Sequence, residues 1–239
     1  NESSDLFSQV NLSLRYTFKR YSKLKFTAIL PYSYNRRTAQ ASTELVSGFS
    51  DARLVFGYTI INDLNNSNDW SFYLETGGGI SLPTGKYDPQ ILDRNLPDNF
   101  NAGRGSLSYI LQCNSVMNYH DYGVSLNANY QYNQTTKEDY RYGNQVSCGL
   151  MTYKEISVRA INLVPNTGIF YERVGSNTYS NGNKVPETSG EGLFFSAGIN
   201  IKYNKCVVGT SWLIPVSQNY GNNTINSESR VSAHFSFLF

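Results

Sequence analysis

The amino-acid sequence predicts an all-β fold: a transmembrane, antiparallel, up-and-down β-barrel of about 12 strands, 11 of which lie within the 239 residues. Apolar and polar residues alternate with a period of two in almost every long segment, which gives each strand one apolar and one polar face. Short turns alternate with long polar loops, which is the layout of an outer-membrane barrel. Residues 1–239 are expected to form a single domain.

The composition excludes several other classes. Charged residues make up 16% of the chain, against about 25% in an average soluble domain, whereas aromatic residues reach 14%. No run of apolar residues approaches the roughly 18 that a membrane-spanning helix needs. A net charge of +2 gives no indication of the basic surface that a nucleic-acid-binding protein needs. Cys113, Cys148 and Cys206 are odd in number and far apart, so we expect unpaired, small apolar residues in strands.

Each strand is predicted from its alternation. The first two strands alternate without interruption from Val10 to Phe18 and from Leu24 to Tyr34, and the sixth is the clearest. The eighth changes phase near 162–164, which predicts a β-bulge. Most strands exceed the roughly 9–11 residues that a tilted strand needs to cross a bilayer. In chain order the predicted strands are 6–18, 24–35, 50–61, 70–82, 105–119, 122–133, 140–153, 156–172, 191–203, 206–218 and 228–239.

The connections form two classes, which we assign to the two rims of the barrel. The mostly short turns are Lys19–Lys23, Asn62–Asp69, His120–Asp121, Lys154–Glu155 and Asn204–Lys205. The mostly longer loops are Arg36–Phe49, Pro83–Arg104, Gln134–Asp139, Arg173–Gly190 and Asn219–Ser227.

Alternation alone does not tell which face looks inward, because a soluble lipocalin-like barrel would enclose its apolar residues. The strongly polar intervening residues and the tyrosines at strand ends favour a membrane barrel. Phe235, Phe237 and Phe239 are in phase at the end of the chain. They resemble the signal by which barrel-assembly machinery recognises its clients. We therefore expect a bacterial outer-membrane protein in contact with the lipid bilayer, lipopolysaccharide and that machinery.

Several short motifs beside the loops resemble a known family. They are Gly48-Phe49-Ser50-Asp51-Ala52-Arg53-Leu54, Leu82-Pro83-Thr84-Gly85-Lys86-Tyr87-Asp88, Gly103-Arg104-Gly105-Ser106, Tyr140-Arg141-Tyr142-Gly143-Asn144 and Val164-Pro165-Asn166-Thr167-Gly168. Together they resemble the outer-membrane transporter-like barrels named after the meta pathway of phenol degradation, which are similar in style to FadL-like channels. The resemblance covers most of the chain and implies an outer-membrane barrel of the transporter type.

The sequence indicates no enzyme, cofactor, metal site or nucleic-acid partner. HExxH, GxSxG and P-loop patterns are absent. His120 falls in a predicted turn, and His234 shares a polar face with Ser232 and Ser236. Any serine-rich face would offer that grouping by chance.

Ionisable and amide side chains on the predicted inner face are candidates for lining the lumen. Two interpretations stay open: the charges pair with Glu75 and Glu172 and fill the interior, or they form a weakly cationic lumen that favours anions. The lumen candidates are Arg15, Lys25, Arg53, Glu75, Asn127, Asn129, Arg159, Lys202, Arg230 and His234.

The loop Pro83–Arg104 is long enough to fold into the barrel mouth, and Lys86, Tyr87 and Phe100 are its candidate mouth residues. Its apolar side chains either line the mouth or pack the loop onto the rim; they are Tyr87, Ile91, Leu92, Leu96 and Phe100.

Two functions follow. The first is a channel for small solutes, hydrophobic or anionic. The second is a non-transporting structural or accessory subunit of a larger complex with other outer-membrane proteins.

Because closed single-chain bacterial barrels have an even number of strands, we expect one further strand before residue 1. The alternative is an element missed within Pro83–Arg104 or Arg173–Gly190.

Overall fold

A computed structural model describes residues 3–39, 42–64, 69–91 and 96–239. Leu92, one of the expected mouth residues, lies outside these ranges, as do Asn1 and Glu2. The strands are β1 (Ser4–Phe18), β2 (Tyr21–Ala39), β3 (Ser42–Phe49), β4 (Arg53–Asn62), β5 (Trp70–Ser81), β6 (Ser108–Tyr119), β7 (Tyr122–Asn133), β8 (Tyr140–Arg141), β9 (Gln145–Lys154), β10 (Ile156–Val158), β11 (Ile161–Val174), β12 (Thr178–Tyr179), β13 (Gly190–Tyr203), β14 (Cys206–Tyr220) and β15 (Arg230–Phe237). A short 3-10 helix (Asp98–Phe100) lies between β5 and β6.

Eleven strands follow one another in a single antiparallel sheet that is curled into a half-barrel. Their order is β1-β2-β4-β5-β6-β7-β9-β11-β13-β14-β15. Two shorter strands extend this sheet, since β3 pairs with β2 and β10 pairs with β11, while β8 and β12 form a small sheet of their own. The predicted all-β, antiparallel barrel fold is confirmed.

The sheet path begins at β1 and ends at β15, and no pairing joins these two strands among the described residues. The described parts of Pro83–Arg104 and Arg173–Gly190 add no strand to the large sheet. The expected strand before residue 1 stays a prediction. No helix among the described residues is long and apolar enough to cross a membrane.

The predicted loop Arg36–Phe49 is largely a hairpin, which corrects the sequence-based boundary. Strand β2 continues to Ala39. Its residues from Leu24 to Ile29 pair with β4, and its residues from Tyr32 to Ala39 pair with β3. Pro31 lies at the junction where the partner changes. The hairpin was missed because the composition of this segment is polar, although its alternation continues.

The predicted eighth strand, 156–172, is interrupted. β10 ends at Val158, and the chain then turns through Arg159, whose φ is 56°, before β11 begins at Ile161. The change of phase seen in the sequence is therefore a tight turn and not a bulge. Several other predicted starts move by a few residues; β4 begins at Arg53, β6 at Ser108 and β9 at Gln145.

The two faces of the half-barrel differ in chemistry. Apolar side chains project from the outer face; Val10 and Leu12 are each 73% exposed. The inner face is polar and closely packed, with Asn133 fully buried and Glu75 1% exposed. The three cysteine thiols are free and are placed in the outward phase, where Cys113 and Cys148 both lie opposite Ala128.

Candidate functional site

Glu75 is the centre of an ion cluster on the inner face. Its Oε2 lies 2.5 Å from Nη2 of Arg15 and 3.0 Å from Nζ of Lys25, and it accepts a hydrogen bond from the Tyr73 hydroxyl. Arg15 is on β1 and Glu75 on β5, with two strands between them. Side chains of such distant strands meet only across the concave side of a curved sheet. The polar face is therefore the inner face of the half-barrel.

A second ion cluster joins β11, β14 and β15. The guanidinium of Arg230 donates to both carboxylate oxygens of Glu172 at 2.8 and 2.7 Å, a bidentate geometry. The Tyr220 hydroxyl donates to the same carboxylate at 2.5 Å. The guanidinium carbon of Arg230 lies 4.5 Å from the ring centroid of the buried Phe194. Both clusters agree with the interpretation in which inner-face charges pair with Glu75 and Glu172.

Asp51, in the turn between β3 and β4, holds the long loop between β5 and β6 against the inner face. Its Oδ1 accepts the backbone N–H of Gly85 at 3.0 Å, and its Oδ2 accepts the backbone N–H of Arg104 at 2.9 Å. The two ends of the loop are thus joined to one carboxylate. Backbone bonds from Lys86 to Phe49 at 2.9 Å and from Gly103 to Lys86 at 2.8 Å extend this junction, which we call the Asp51 clasp.

Glycine is required at the clasp because the backbones approach closely. A Cβ at Gly85 would lie 2.7 Å from the Cα of Gly103, and a Cβ at Gly103 would lie 2.8 Å from Oδ1 of Asp51. Two short sequence motifs, around Gly85 and around Gly103, meet here. Sequence reasoning found both motifs but not their shared contact with Asp51.

The described apolar side chains of the loop pack it in place. Ile91, Leu96 and Phe100 are each at most 1% exposed and form a cluster with Val46 of β3. The Phe100 ring also makes an edge-to-face contact with Phe7 of β1, with centroids 5.0 Å apart. Of the two interpretations open for these residues, packing onto the barrel wall describes all three.

The other two mouth candidates differ in environment. Lys86 is exposed, whereas Tyr87 is partly buried and its burial raises the pKa of the phenol. The Tyr87 ring fills the space beside Gly105, whose φ is 65°. Tyr87 therefore supports the loop, while Lys86 places a charge at its surface.

A cavity of about 390 Å³ lies between this loop and the inner face of the sheet. Arg53 and Arg104 both line it, together with Asp51, Asp98 and neutral polar side chains. Nη1 of Arg104 donates to Oδ1 of Asn133 at 2.8 Å. Burial, followed by the nearby charge of Arg53, lowers the pKa of Arg104 to about 10. Burial raises the pKa of Asp51 in spite of its two backbone hydrogen bonds.

Asn133, at the end of β7, orients Arg104 at this cavity. Its Oδ1 also accepts hydrogen bonds from the Ser108 hydroxyl at 2.7 Å and from Nε2 of Gln131 at 2.9 Å. Its Nδ2 donates to the carbonyl of Gly143 at 2.7 Å. All the polar atoms of this side chain are satisfied, which orients the guanidinium of Arg104. From sequence, Arg104 is only a member of a short motif and Asn133 only the last polar residue of a strand, so nothing local indicates their contact.

The remaining lumen candidates lie apart from this cavity. Asn127 and Asn129 line a second inner cavity of about 250 Å³, and Asn127 donates to Asn114 across the strand pair at 3.0 Å. Lys202 is exposed next to the turn that joins β13 to β14. The His234 ring lies against Gly209, within 2.4 Å of where a Cβ would stand.

The predicted position of Arg159, on the inner face of a continuous strand, is wrong. It lies in the β10–β11 turn and is exposed, since the strand that would have placed it inside ends at Val158.

No hydrogen bond links His234 to Ser232 or Ser236 among the described residues. The described ranges also hold no group of three or more metal-ligating side chains. The aromatic residues expected as an assembly signal are exposed, Phe235 to 67% and Phe239 to 80%; that role stays a prediction.

The long curled antiparallel sheet, with an apolar outer face and a polar inner face, defines an outer-membrane-type β-barrel. Residues 5–222 match the family described as "Putative MetA-pathway of phenol degradation", and the chain belongs to that family. The crystal structure of an outer membrane channel from Pseudomonas putida F1 is similar with a TM-score of 0.70 and 16% identity. The similarity covers 94% of this chain and 80% of that one. The comparison with curated proteins found no match.

Proposed function

We propose that this protein is a bacterial outer-membrane barrel that provides a passive path for small solutes. The observation that supports this most directly is the contrast between the two faces of the sheet. An apolar outer face suits lipid, and a polar inner face with cavities suits water and solutes. Membership of the family and the fold shared with an outer membrane channel agree with the proposal.

The outer face supplies the membrane contact. Leu111, Val216 and Phe235 are 60%, 64% and 67% exposed, and apolar side chains exposed to this extent on the strands of one sheet are unfavourable in water. The bilayer and lipopolysaccharide are the partners that would cover them, and barrel-assembly machinery is the partner that would insert the protein.

The loop held by the Asp51 clasp is the constriction of the proposed path. It covers the larger inner cavity and is anchored by a buried apolar cluster, so its position is defined by packing as well as by hydrogen bonds. Weakening the clasp would widen the path without changing the strands.

A second candidate function is a non-transporting accessory subunit of a larger outer-membrane complex. The observation that favours it is the filling of the interior by ion pairs and by the clasped loop. In that case the bilayer would contain a closed barrel whose outer face contacts other outer-membrane proteins.

Conductance in planar lipid bilayers separates the two functions. We expect the purified full-length protein to produce discrete current steps, and Asp51→Asn to increase their size because one backbone N–H loses its acceptor. Asp121→Asn, which makes the same charge change in the exposed β6–β7 turn, should leave the steps unchanged. Absence of steps from the wild-type protein and from Asp51→Asn alike would favour the accessory function.

A further inference from the structure

We propose that the cavity beneath the clasped loop binds one small carboxylate between the guanidinium groups of Arg53 and Arg104. This inference rests on the proposed channel function and names the chemical class of its solute. The strongest observation is that Arg53 and Arg104 both line this cavity, and the buried Nε of Arg53 has no hydrogen-bond partner among the described residues. An unpaired buried donor on a cation is costly, so an anion in the cavity that offsets the charge of this guanidinium would stabilise the site.

The carboxylates of the cavity are already occupied by other donors. The two oxygens of Asp51 accept backbone N–H groups of the loop, and Asp98 accepts the hydroxyl of Tyr140. Among the described residues, no carboxylate forms a salt bridge with the Arg53 or the Arg104 guanidinium. The two cations therefore lack the direct partner that Arg15 and Arg230 have elsewhere on the inner face.

Arg104 is the better oriented of the two cations. One of its donors is used by Asn133, whose own position is held by three further hydrogen bonds. Its guanidinium carbon lies 5.8 Å from the ring centroid of Tyr142. The remaining donors of the planar group are available to the cavity, and guanidinium geometry matches a carboxylate. Burial and the charge of Arg53 lower the pKa of Arg104, although the charge of Asp51 acts in the opposite direction, which agrees with two neighbouring cations that are only partly compensated.

The rest of the lining suits a carboxylate with a small apolar body. Ser33, Ser81 and Gln131 supply neutral hydrogen-bonding groups, and Phe7 and Val174 supply apolar surface. A few polar groups in a partly apolar concave site is the usual composition of a small-molecule site. A cavity of about 390 Å³ lies within the roughly 300–1,000 Å³ range of such sites.

The test is a titration of 4-fluorobenzoate with the purified full-length protein in lipid nanodiscs, followed by fluorine NMR. 4-Fluorobenzyl alcohol, which has a similar shape but no charge, is titrated in parallel. We expect saturable binding of the carboxylate to the wild-type protein and at least tenfold weaker binding to Arg53→Gln and to Arg104→Gln. Arg159→Gln removes the same charge from the exposed β10–β11 turn and should bind like the wild type.

Folding of each variant is checked by its thermal transition, and Arg53→Lys provides a second test that keeps the charge. Binding retained in part by Arg53→Lys and lost in Arg53→Gln supports a charge-dependent site. Three results would each overturn the site: binding of the alcohol as tight as that of the carboxylate, a loss of affinity in Arg159→Gln as large as in Arg53→Gln, or no binding to the folded wild-type protein.

This binding assay is independent of transport. Saturable binding together with no conductance would refute the channel and keep the carboxylate site. Conductance together with no binding would keep the channel and refute the site.

Discussion

Replacing Leu126 by Arg tests the assignment of the two faces. Leu126 projects from the outer face of β7, where it is 39% exposed and lies opposite Leu150. Its neighbour Asn127 projects inward and lines the smaller inner cavity. The two positions are adjacent in sequence and so lie at nearly the same height in the strand, which makes them a matched pair.

The depth of Leu126 follows from strand geometry. It is four residues beyond Tyr122, the first residue of β7, and at about 3.4 Å per residue this is about 14 Å along the strand. A tilt of roughly 35–45° reduces the height above that rim to about 10–11 Å, in an apolar band about 25 Å tall. Leu126 therefore lies close to the midplane, where an Arg facing lipid is destabilising by about 2–4 kcal/mol.

The assay is reversible unfolding in denaturant with lipid vesicles present, followed by tryptophan fluorescence. Leu126→Arg should lower the free energy of unfolding by about 2–4 kcal/mol. Asn127→Arg should change it by less than about 1 kcal/mol, because its charge enters a polar cavity. Equal losses at the two positions would refute the assignment of the outer face to lipid.

Two further predictions concern the interior. Glu75→Gln leaves Arg15 and Lys25 without their shared carboxylate and should destabilise by about 2–3 kcal/mol, less than a fully buried pair because Arg15 is half exposed; Arg15→Gln should be milder in the same unfolding assay, and the reverse order would contradict the cluster. Gly103→Ala places a Cβ 2.7 Å from the backbone of Gly85 and should lower stability by about 1–3 kcal/mol in thermal unfolding. Gly149→Ala, whose nearest atom would be 3.6 Å away, is its control, and similar effects of the two substitutions would contradict the close approach.

Period-two alternation predicted most of the strands within a few residues. Strand β7 has the same bounds, 122–133, in the sequence interpretation and in the structure. Prediction failed where the local residue pattern does not show where a strand ends or which strand it pairs with. The alternation of 156–172 did not reveal the turn at Arg159, and the polar composition of 36–49 concealed the β2–β3 hairpin.

The candidate site was predictable only in part. Arg15, Lys25 and Glu75 were all assigned to the inner face from alternation, but their contact was not predictable, because Arg15 and Glu75 are 60 residues apart in the chain. Asp51 and Arg104 were seen only as members of separate motifs, although they are joined across 53 residues.

The sequence by itself determined which residues form strands and which side of each strand is polar, because alternation is a property of the local backbone. The tertiary structure alone decided which polar side chains meet, since curvature of the sheet brings β1 to β5 and β11 to β15 across the inner face. It also decided where the long loop lies, because the Asp51 clasp and the cluster around Phe100 form only once distant segments are packed together. The cavity with its two arginines is a consequence of that packing and has no signature in any one segment of the chain.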